Sequence, residues 1–212
     1  YMHQGQICIA LNRVLVHSSM YDEFVEAVKS RVEKLKSGDP TREGVFIGPI
    51  INDDQKEKIL EIVSKSEEQG ARKVLGGGVS NRVIEPILLA DVTADMKAFT
   101  DEVFGPVCTL VKYDSEREAI ELANATEYGL SGAVYGGDIT RATQVARQIR
   151  TGMVHVNDQS VNDDPNAAFG GVGASGIGRF GGSWAMREFT KERWLTVQHE
   201  QRNYPIVSDL EA

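Results

Sequence analysis

The chain has 212 residues, of which 41% are hydrophobic and 25% are charged, and its formal net charge is −8. This length and composition predict a folded protein of one large or two small domains and exclude a disordered chain. The acidic balance argues against nucleic acid as a partner, and the lack of a basic amphipathic stretch or an apolar run of about 20 residues argues against a membrane.

The first predicted elements are a strand and a helix. Residues 13–17, Arg-Val-Leu-Val-His, are typical of a short buried strand. Ser18 or Ser19 is expected to cap the helix that follows, with Asp22 completing a capping box after Ser19. Gly38 stands where a C-cap belongs.

The rest of the chain repeats this rhythm. Runs of strand formers predict strands at 71–75, 107–113, 130–135 and 153–156. Apolar residues at helical spacing predict helices from Asn52 or Asp53 to Gly70, at 115–125 and at 138–149. In the last of these helices the residues predicted to face inward are Ile139, Ala142, Val145, Ala146 and Ile149. Strands that alternate with helices of this length predict an α/β sandwich with a largely parallel sheet.

Residues 157–183 differ in character, because a polar stretch is followed by a segment dense in glycine. Gly171-Val-Gly-Ala-Ser-Gly176 fits the pattern G-x-G-x-x-G. A dinucleotide fingerprint needs a buried strand before it and a helix after it, and neither is predicted here. The interpretation as a loop that needs backbone freedom and close packing is therefore favoured.

The chain has two cysteines, which argues against a disulfide framework and fits a reducing compartment such as the cytoplasm. Cysteine and histidine show no spacing typical of zinc, so no metal site is predicted. Cys108 lies inside a predicted strand and is interpreted as a buried, inert thiol. Cys8 follows Gly5-Gln6, but residues 1–12 alone favour a core cysteine, since a nucleophile needs a lowered pKa and an aligned partner.

Four motifs in a fixed order change that interpretation. Gly-Gln-Ile-Cys8 is followed by Glu102-Val-Phe-Gly-Pro, then by Phe169-Gly-Gly and by Ser175-Gly-Ile-Gly-Arg179. Each motif is weak by itself, but the ordered set resembles the aldehyde dehydrogenase superfamily from Tyr1 to about Gln198. Residues 155–164 and 169–175 are most similar to enzymes of the benzaldehyde and vanillin type.

The resemblance implies a chemistry for Cys8, which matches the family's nucleophile. A thiolate there would attack an aldehyde, hydride would pass to NAD or NADP, and water would hydrolyse the thioester to a carboxylic acid. The family's oxyanion hole uses the N–H of that cysteine and an asparagine side chain, donors worth about 3–4 kcal/mol of barrier each.

The resemblance also implies binding roles. Glu102 matches the glutamate that hydrogen-bonds the nicotinamide ribose, and Phe104 matches the aromatic residue beside that part of the cofactor. Ile7, Ile9 and Phe169 match positions that shape the aldehyde pocket, and an aromatic or similarly hydrophobic aldehyde is expected. Arg179 and its neighbouring glycines are expected to serve packing and turns.

The implied architecture is the three-layer α/β sandwich of the family's catalytic domain. Residues 1–192 would form that domain, truncated at its N-terminal edge, and 193–212 an oligomerisation strand and polar tail. The strand, Glu192 to Gln198, has no sequence-local partner and would join a neighbouring subunit's sheet in a homo-oligomer.

The family's dinucleotide-binding domain, its general-base glutamate and its oxyanion asparagine have no counterpart among these residues. The sequence is therefore expected to be a catalytic-domain fragment that has negligible activity alone and exposes apolar surface. Two alternatives stay open: a non-catalytic assembly module, and a related aldehyde or semialdehyde dehydrogenase that transfers its acyl group to another acceptor.

Overall fold

The computed structural model describes residues 1–200 and Arg202. The strands are β1 (Arg13–His17), β2 (Lys36–Ser37), β3 (Val45–Ile47), β4 (Arg72–Leu75), β5 (Val79–Ser80), β6 (Val83–Ile84), β7 (Ile87–Ala90), β8 (Val107–Tyr113), β9 (Ser131–Val134) and β10 (Met153–Val156). The helices are α1 (Tyr21–Val32), α2 (Asp53–Glu68), α3 (Lys97–Thr100), α4 (Glu116–Asn124), α5 (Ile139–Ala146) and α6 (Gly182–Glu188).

The main sheet has four strands in the order β1-β8-β7-β4. Strand β8 pairs in parallel with β1, where Arg13 lies opposite Thr109, and with β7, where Ile87 lies opposite Val107. Strand β4 is antiparallel to β7. Smaller parallel ladders join β9 to β10 and β2 to β3, and β5 pairs with β6 antiparallel. The mixed α/β fold with largely parallel sheets is thus confirmed.

Helices cover both faces of the main sheet, because successive residues of a strand point to opposite sides. On one face, Ile87 and Leu89 pack in the same apolar cluster as Ile59 and Val63 of α2. On the other face, Leu88 and Leu110 pack in a cluster with Tyr21 and Val25 of α1. Its other buried members are Val16 and Ala90. The result is three layers, α1, sheet and α2.

The central strand β7 was not predicted from the sequence. All four of its residues, Ile87 to Ala90, have 0% of their surface exposed. A parallel strand buried on both faces is a continuous apolar run without alternation, and a run this short gives no periodicity to detect. The short elements β2, β3, β5, β6, α3 and α6 were missed too.

The start of α1 differs from the expected capping box. Ser18–Met20 forms a 3-10 turn, and α1 begins at Tyr21. The ring of His17 caps that 3-10 turn, since its Nδ1 accepts a hydrogen bond from Ser19 N at 3.2 Å, whereas α1 itself has no side-chain cap at Met20. The helix ends at Val32, well before Gly38, because residues 36–37 leave it to pair with β3.

The later helices begin where the sequence predicted, and each start has a side-chain cap. Asn52 Oδ1 accepts from Gln55 N at 2.8 Å, and Ser115 and Asp138 cap α4 and α5 in the same way. Within α5, Ala146 is buried as expected, but Ile139 is 66% exposed, so its inward assignment was wrong.

The predicted strand at 192–198 is not formed within the described part of the chain, where these residues have no strand pairing. Trp194 is 93% exposed. The rest of the predicted tail, Gln201 and residues 203–212, lies outside the described residues. Among the described helices, none combines the length and the hydropathy needed to cross a membrane.

A tyrosine hydroxyl joins α1 to two strands. Tyr21 is fully buried, its OH donates to Leu110 O at 3.2 Å, and it accepts from Asp91 N at 2.6 Å. Burial is the main reason that the pKa of Tyr21 is raised to about 12. The pKa of tyrosine in an unfolded chain is ~10. Between pH ~10 and 12, ionisation of Tyr21 therefore favours the unfolded state.

We predict that Tyr21→Phe lowers the free energy of unfolding by about 1–3 kcal/mol at pH 8, because it leaves the half-buried Asp91 N–H without the acceptor that the fully buried Tyr21 hydroxyl supplies. The stabilisation by the hydroxyl is present below pH ~10 and is lost as the pH rises towards 12, so the two proteins should converge there. Urea unfolding followed by circular dichroism measures this. Tyr135→Phe is the control, since Tyr135 is 68% exposed; equal stability of all three proteins at pH 8 would contradict the prediction.

Candidate active site

Cys8 lies on a turn that directs its side chain outward. Ala10 N donates to Ile7 O at 2.9 Å, which closes the turn around the thiol. Cys8 is exposed and Ile7 is half-buried, whereas Ile9 is only 6% exposed. The buried Ile9 anchors the turn, so the thiol next to it is held at the surface and is not sealed in apolar packing.

Two contacts tie this turn to distant segments. Ser160 Oγ, which is buried, donates to Ile9 O at 2.7 Å and joins the turn to the loop after β10. Gln6 Oε1 accepts from Ile51 N at 3.0 Å, just ahead of α2. The position of Cys8 is therefore fixed by segments about 45 and 151 residues away.

The closest approach joins the cysteine segment to the loop before β8. Gly5 has a φ of +69°, and a Cβ on it would lie 2.0 Å from Gly105 O. No side chain fits in that space, so only glycine allows the two backbones to touch. This contact brings the residues ahead of Cys8 against the segment that carries Glu102 and Phe104.

The loop before β8 presents a carboxylate and an aromatic ring. Glu102 is exposed, and Phe104 is half-buried with a φ of +51°. Gln55 Nε2 donates to Val103 O and to Phe104 O, each at 3.1 Å, and so holds the loop against the start of α2. A left-handed backbone at a bulky residue is uncommon and persists only where the surroundings enforce it.

Asn12 was not singled out from the sequence, although it touches the same loop. Its Nδ2 donates to Asp101 O at 3.1 Å, and its Oδ1 accepts from Val103 N at 3.2 Å. These partners flank Glu102 on both sides. A polar residue directly before a strand is the only sequence signal of such a role.

Phe169 lies in a different environment from Ile7 and Ile9. It is half-buried and exchanges two backbone hydrogen bonds with Phe180, at 2.9 and 2.7 Å. It borders a cavity of about 340 Å³ together with residues 153–155, 162–164, 167 and 168. Neither isoleucine borders that cavity, so the three predicted pocket residues do not share one cavity in the described chain. The ring of His155, also missed, borders it, and its Nε2 has no hydrogen-bond partner among the described residues.

The glycine-rich segment is a packed turn, as the sequence favoured. Gly173–Ser175 forms a 3-10 turn, and Ser175 Oγ accepts from Gly129 N at 3.0 Å. Arg179 Nη1 donates to Gly171 O at 2.8 Å and to Gly178 O at 2.7 Å. The guanidinium therefore holds two backbone carbonyls in place, which agrees with the packing role expected of Arg179.

The two cysteines differ in their surroundings. Cys108 packs against the buried cluster on the α1 face of the sheet, and burial raises the pKa of its thiol to about 11. A thiol in that state is a poor nucleophile near neutral pH, because the thiolate is the reactive form. The interpretation of Cys108 as inert agrees with this environment. In the described residues, no group of three or more His, Cys, Asp or Glu side chains could hold a metal ion.

Comparison with known proteins gives consistent similarities. A family model described as "Aldehyde dehydrogenase family" matches residues 1–195. The benzaldehyde dehydrogenase YfmT of Bacillus subtilis is 48% identical over 205 residues, which are 97% of this chain. A vanillin dehydrogenase of Corynebacterium glutamicum is 45% identical over 198 residues, 93% of this chain. The solved structure of a salicylaldehyde dehydrogenase from Pseudomonas putida G7, complexed with salicylaldehyde, superimposes with a TM-score of 0.91 at 36% identity over 95% of this chain.

The matches cover a smaller part of the relatives themselves. The chain spans 42% of the Bacillus protein, 41% of the Corynebacterium protein and 42% of the Pseudomonas structure.

We predict that iodoacetamide labels Cys8 much faster than Cys108 in the folded protein at pH 8, because only Cys8 is exposed and Cys108 holds its proton to a pH of about 11. Peptide mass spectrometry after timed quenching measures both rates. In urea the two rates should converge. Cys108→Ser should keep the fast labelling and Cys8→Ser should lose it; equal labelling of both thiols in the folded protein would contradict the prediction.

Proposed function

The chain belongs to the aldehyde dehydrogenase family, and on that premise we propose that it supplies the nucleophile and the cofactor-positioning loop for the NAD(P)-dependent oxidation of an aldehyde to a carboxylic acid. One observation carries the proposal. The turn that exposes Cys8 is in backbone contact, through Gly5 and Gly105, with the loop that presents Glu102 and Phe104.

Cys8 is the proposed nucleophile. Its thiolate Sγ would attack the carbonyl carbon of the aldehyde and form a C–S bond. The π electrons of the carbonyl would move to its oxygen, and the adduct would be a thiohemiacetal. Loss of hydride from that carbon leaves a thioester on Sγ. Water then attacks the thioester, the C–S bond breaks, and the carboxylic acid departs as the thiol is restored. The N–H of Cys8 is a proposed oxyanion donor, and it takes no part in the turn's hydrogen bond between Ala10 and Ile7.

The side chains of Glu102 and Phe104 suit a nicotinamide dinucleotide. A carboxylate such as Glu102 accepts hydrogen bonds from paired hydroxyls like those of a ribose, and the ring of Phe104 offers a flat face beside it. When bound, the dinucleotide supplies the hydride acceptor for the oxidation. The proposed hydride acceptor is NAD or NADP.

An aromatic aldehyde is the proposed substrate class. The relatives named above act, by their names, on benzaldehyde and vanillin, and the solved structure holds salicylaldehyde. Ile7, Ile9 and Phe169 are proposed to shape the aldehyde pocket. Ile7 supports this by lying half-buried beside Cys8, whereas Phe169 borders a cavity of about 340 Å³ that neither isoleucine lines.

No residue here is assigned as general base or as oxyanion asparagine, and residues 1–212 expressed alone are proposed to lack turnover. The native protein is proposed to work in the cytoplasm, whose reducing conditions keep an exposed thiol such as Cys8 free.

A second copy of the chain is the proposed partner of the C-terminal segment. Trp194, Leu195 and Val197 are 93%, 71% and 63% exposed and have no strand partner among the described residues. Strand pairing across subunits would cover these apolar side chains.

We predict that Cys8→Ser abolishes aldehyde oxidation by the native protein, with kcat at least about 1,000-fold lower, because a hydroxyl is a far weaker nucleophile at neutral pH. Reduction of NAD or NADP at 340 nm measures it. Cys108→Ser is the matched control and should keep most of the activity.

The same assay ranks substrates. Benzaldehyde and vanillin should give higher kcat/KM values than acetaldehyde or succinic semialdehyde. Full activity of Cys8→Ser would overturn the catalytic role, and a preference for short aliphatic or carboxylated aldehydes would overturn the proposed substrate class.

We predict that the double variant Trp194→Ser, Leu195→Ser weakens self-association of the native protein, because it removes apolar surface from the proposed interface strand. Light scattering after size-exclusion chromatography measures the mass. The control is Ile177→Ser, which changes an apolar side chain that is 99% exposed outside the segment. An unchanged oligomer in the double variant would contradict the proposed interface.

A further inference from the structure

We propose that Asn12 is a positioning residue for Glu102, and that it couples the cofactor-binding carboxylate to the segment that carries Cys8. The inference rests on the proposed function, since it assumes that Glu102 contacts the cofactor. Asn12 itself touches neither substrate nor cofactor in this proposal and acts only through the backbone on either side of Glu102.

The amide of Asn12 fits this role in both of its halves. Its Nδ2 donates to the carbonyl of Asp101 at 3.1 Å, and its Oδ1 accepts from the N–H of Val103 at 3.2 Å. One planar group therefore fixes the peptide before Glu102 and the peptide after it. The two partners are an acceptor and a donor, so only one orientation of the amide satisfies both.

Asn12 is itself held in place. Its carbonyl accepts a hydrogen bond from the hydroxyl of Thr109, a side chain on β8 with 0% exposure. Arg13, the next residue, begins β1 and pairs with Thr109 in the parallel ladder. The amide thus projects from the rigid edge of the main sheet, four residues after Cys8 in the sequence.

The neighbours of Glu102 are restrained from the other directions as well. The Asp101 carboxylate accepts from Lys97 Nζ at 3.1 Å and from Thr100 Oγ1 at 2.8 Å. Val103 is 2% exposed, and its carbonyl accepts from Gln55. Within Asp101–Val103, Glu102 alone is exposed. A restrained backbone that presents one exposed carboxylate is the arrangement expected of a pre-organised binding group.

Loss of the Asn12 amide should therefore weaken cofactor binding and leave the reactivity of the Cys8 thiol unchanged. Asn12→Ala is expected to raise the Kd and KM for NAD or NADP about tenfold, the order of one lost hydrogen bond. The rate at which iodoacetamide labels Cys8 should change by less than about twofold, since the turn at Ile7–Ala10 keeps its own hydrogen bond. Asn12→Asp keeps the acceptor for Val103 N–H but turns a carboxylate oxygen towards the Asp101 carbonyl, so its effect on the cofactor Kd should be at least as large as that of Asn12→Ala. It also serves if the alanine variant fails to fold.

The chain contains a matched control in Asn124. Its Nδ2 donates to Gln148 O at 2.9 Å, and its Oδ1 accepts from Arg150 N at 2.7 Å, so it bridges two backbone groups in the same way without contacting the loop that carries Glu102. Asn124→Ala should lower stability to a similar degree but leave the Kd and KM for the cofactor unchanged.

A double-mutant cycle tests whether Asn12 acts through Glu102. Asn12→Ala, Glu102→Gln and the double variant are made in the native protein, and cofactor Kd is measured by calorimetry beside steady-state kinetics. If Asn12 acts through Glu102, Asn12→Ala should change the Kd by less than about twofold when Glu102→Gln is already present.

The outcomes separate the two proposals. If the unsubstituted protein neither binds nor reduces NAD or NADP, the proposed function is wrong and this inference is overturned with it. If the unsubstituted protein does both, and Asn12→Ala matches it in cofactor Kd and KM, or if the two substitutions act additively, the positioning role alone is overturned.

Discussion

The contact between Gly5 and Gly105 is the constraint on which the candidate site depends. It joins two stretches a hundred residues apart at a distance that no side chain tolerates, since an added Cβ would lie 2.0 Å from a carbonyl oxygen. Three side chains hold the same two segments in place by hydrogen bonds. Gln55 holds the Phe104 side of the loop, Asn12 holds the Glu102 side, and Ser160 holds Ile9. The thiol and the carboxylate are thus set by backbone geometry and not by direct contact with each other.

The parallel sheet explains why these stretches meet. Strands β1 and β8 run side by side with Arg13 opposite Thr109, so the residues that precede each strand lie at the same edge of the sheet. Cys8 to Asn12 lead into β1, and Asp101 to Pro106 lead into β8. The strand β7 begins at that edge too, where Ile87 N donates to Pro106 O at 2.8 Å. The buried sheet, covered by α1 and α2, is the rigid support for an exposed site.

Local patterns predicted the local structure well. The strands β1, β8 and β10 follow from runs of strand-forming residues, and the starts of α2, α4 and α5 follow from apolar residues at helical spacing, since both signals act within a few residues. The strand β7 could not be predicted, because its burial on both faces removes the alternation. The exposure of Cys8 beside buried Ile9 depends on a turn and on Ser160. Residues 1–12 carry no sign of either, so the ordered motifs indicated Cys8 and the folded chain shows where it lies.

Both tryptophans of the chain, Trp184 and Trp194, lie after the sheet, and both are exposed, at 41% and 93%. Indole emission therefore carries almost no signal from the packed layers around β7 and β8. Indole emission would describe the solvent contact of the segments around Trp184 and Trp194, so loss of the sheet would give it little change. The two indoles are therefore reporters on what covers this part of the surface.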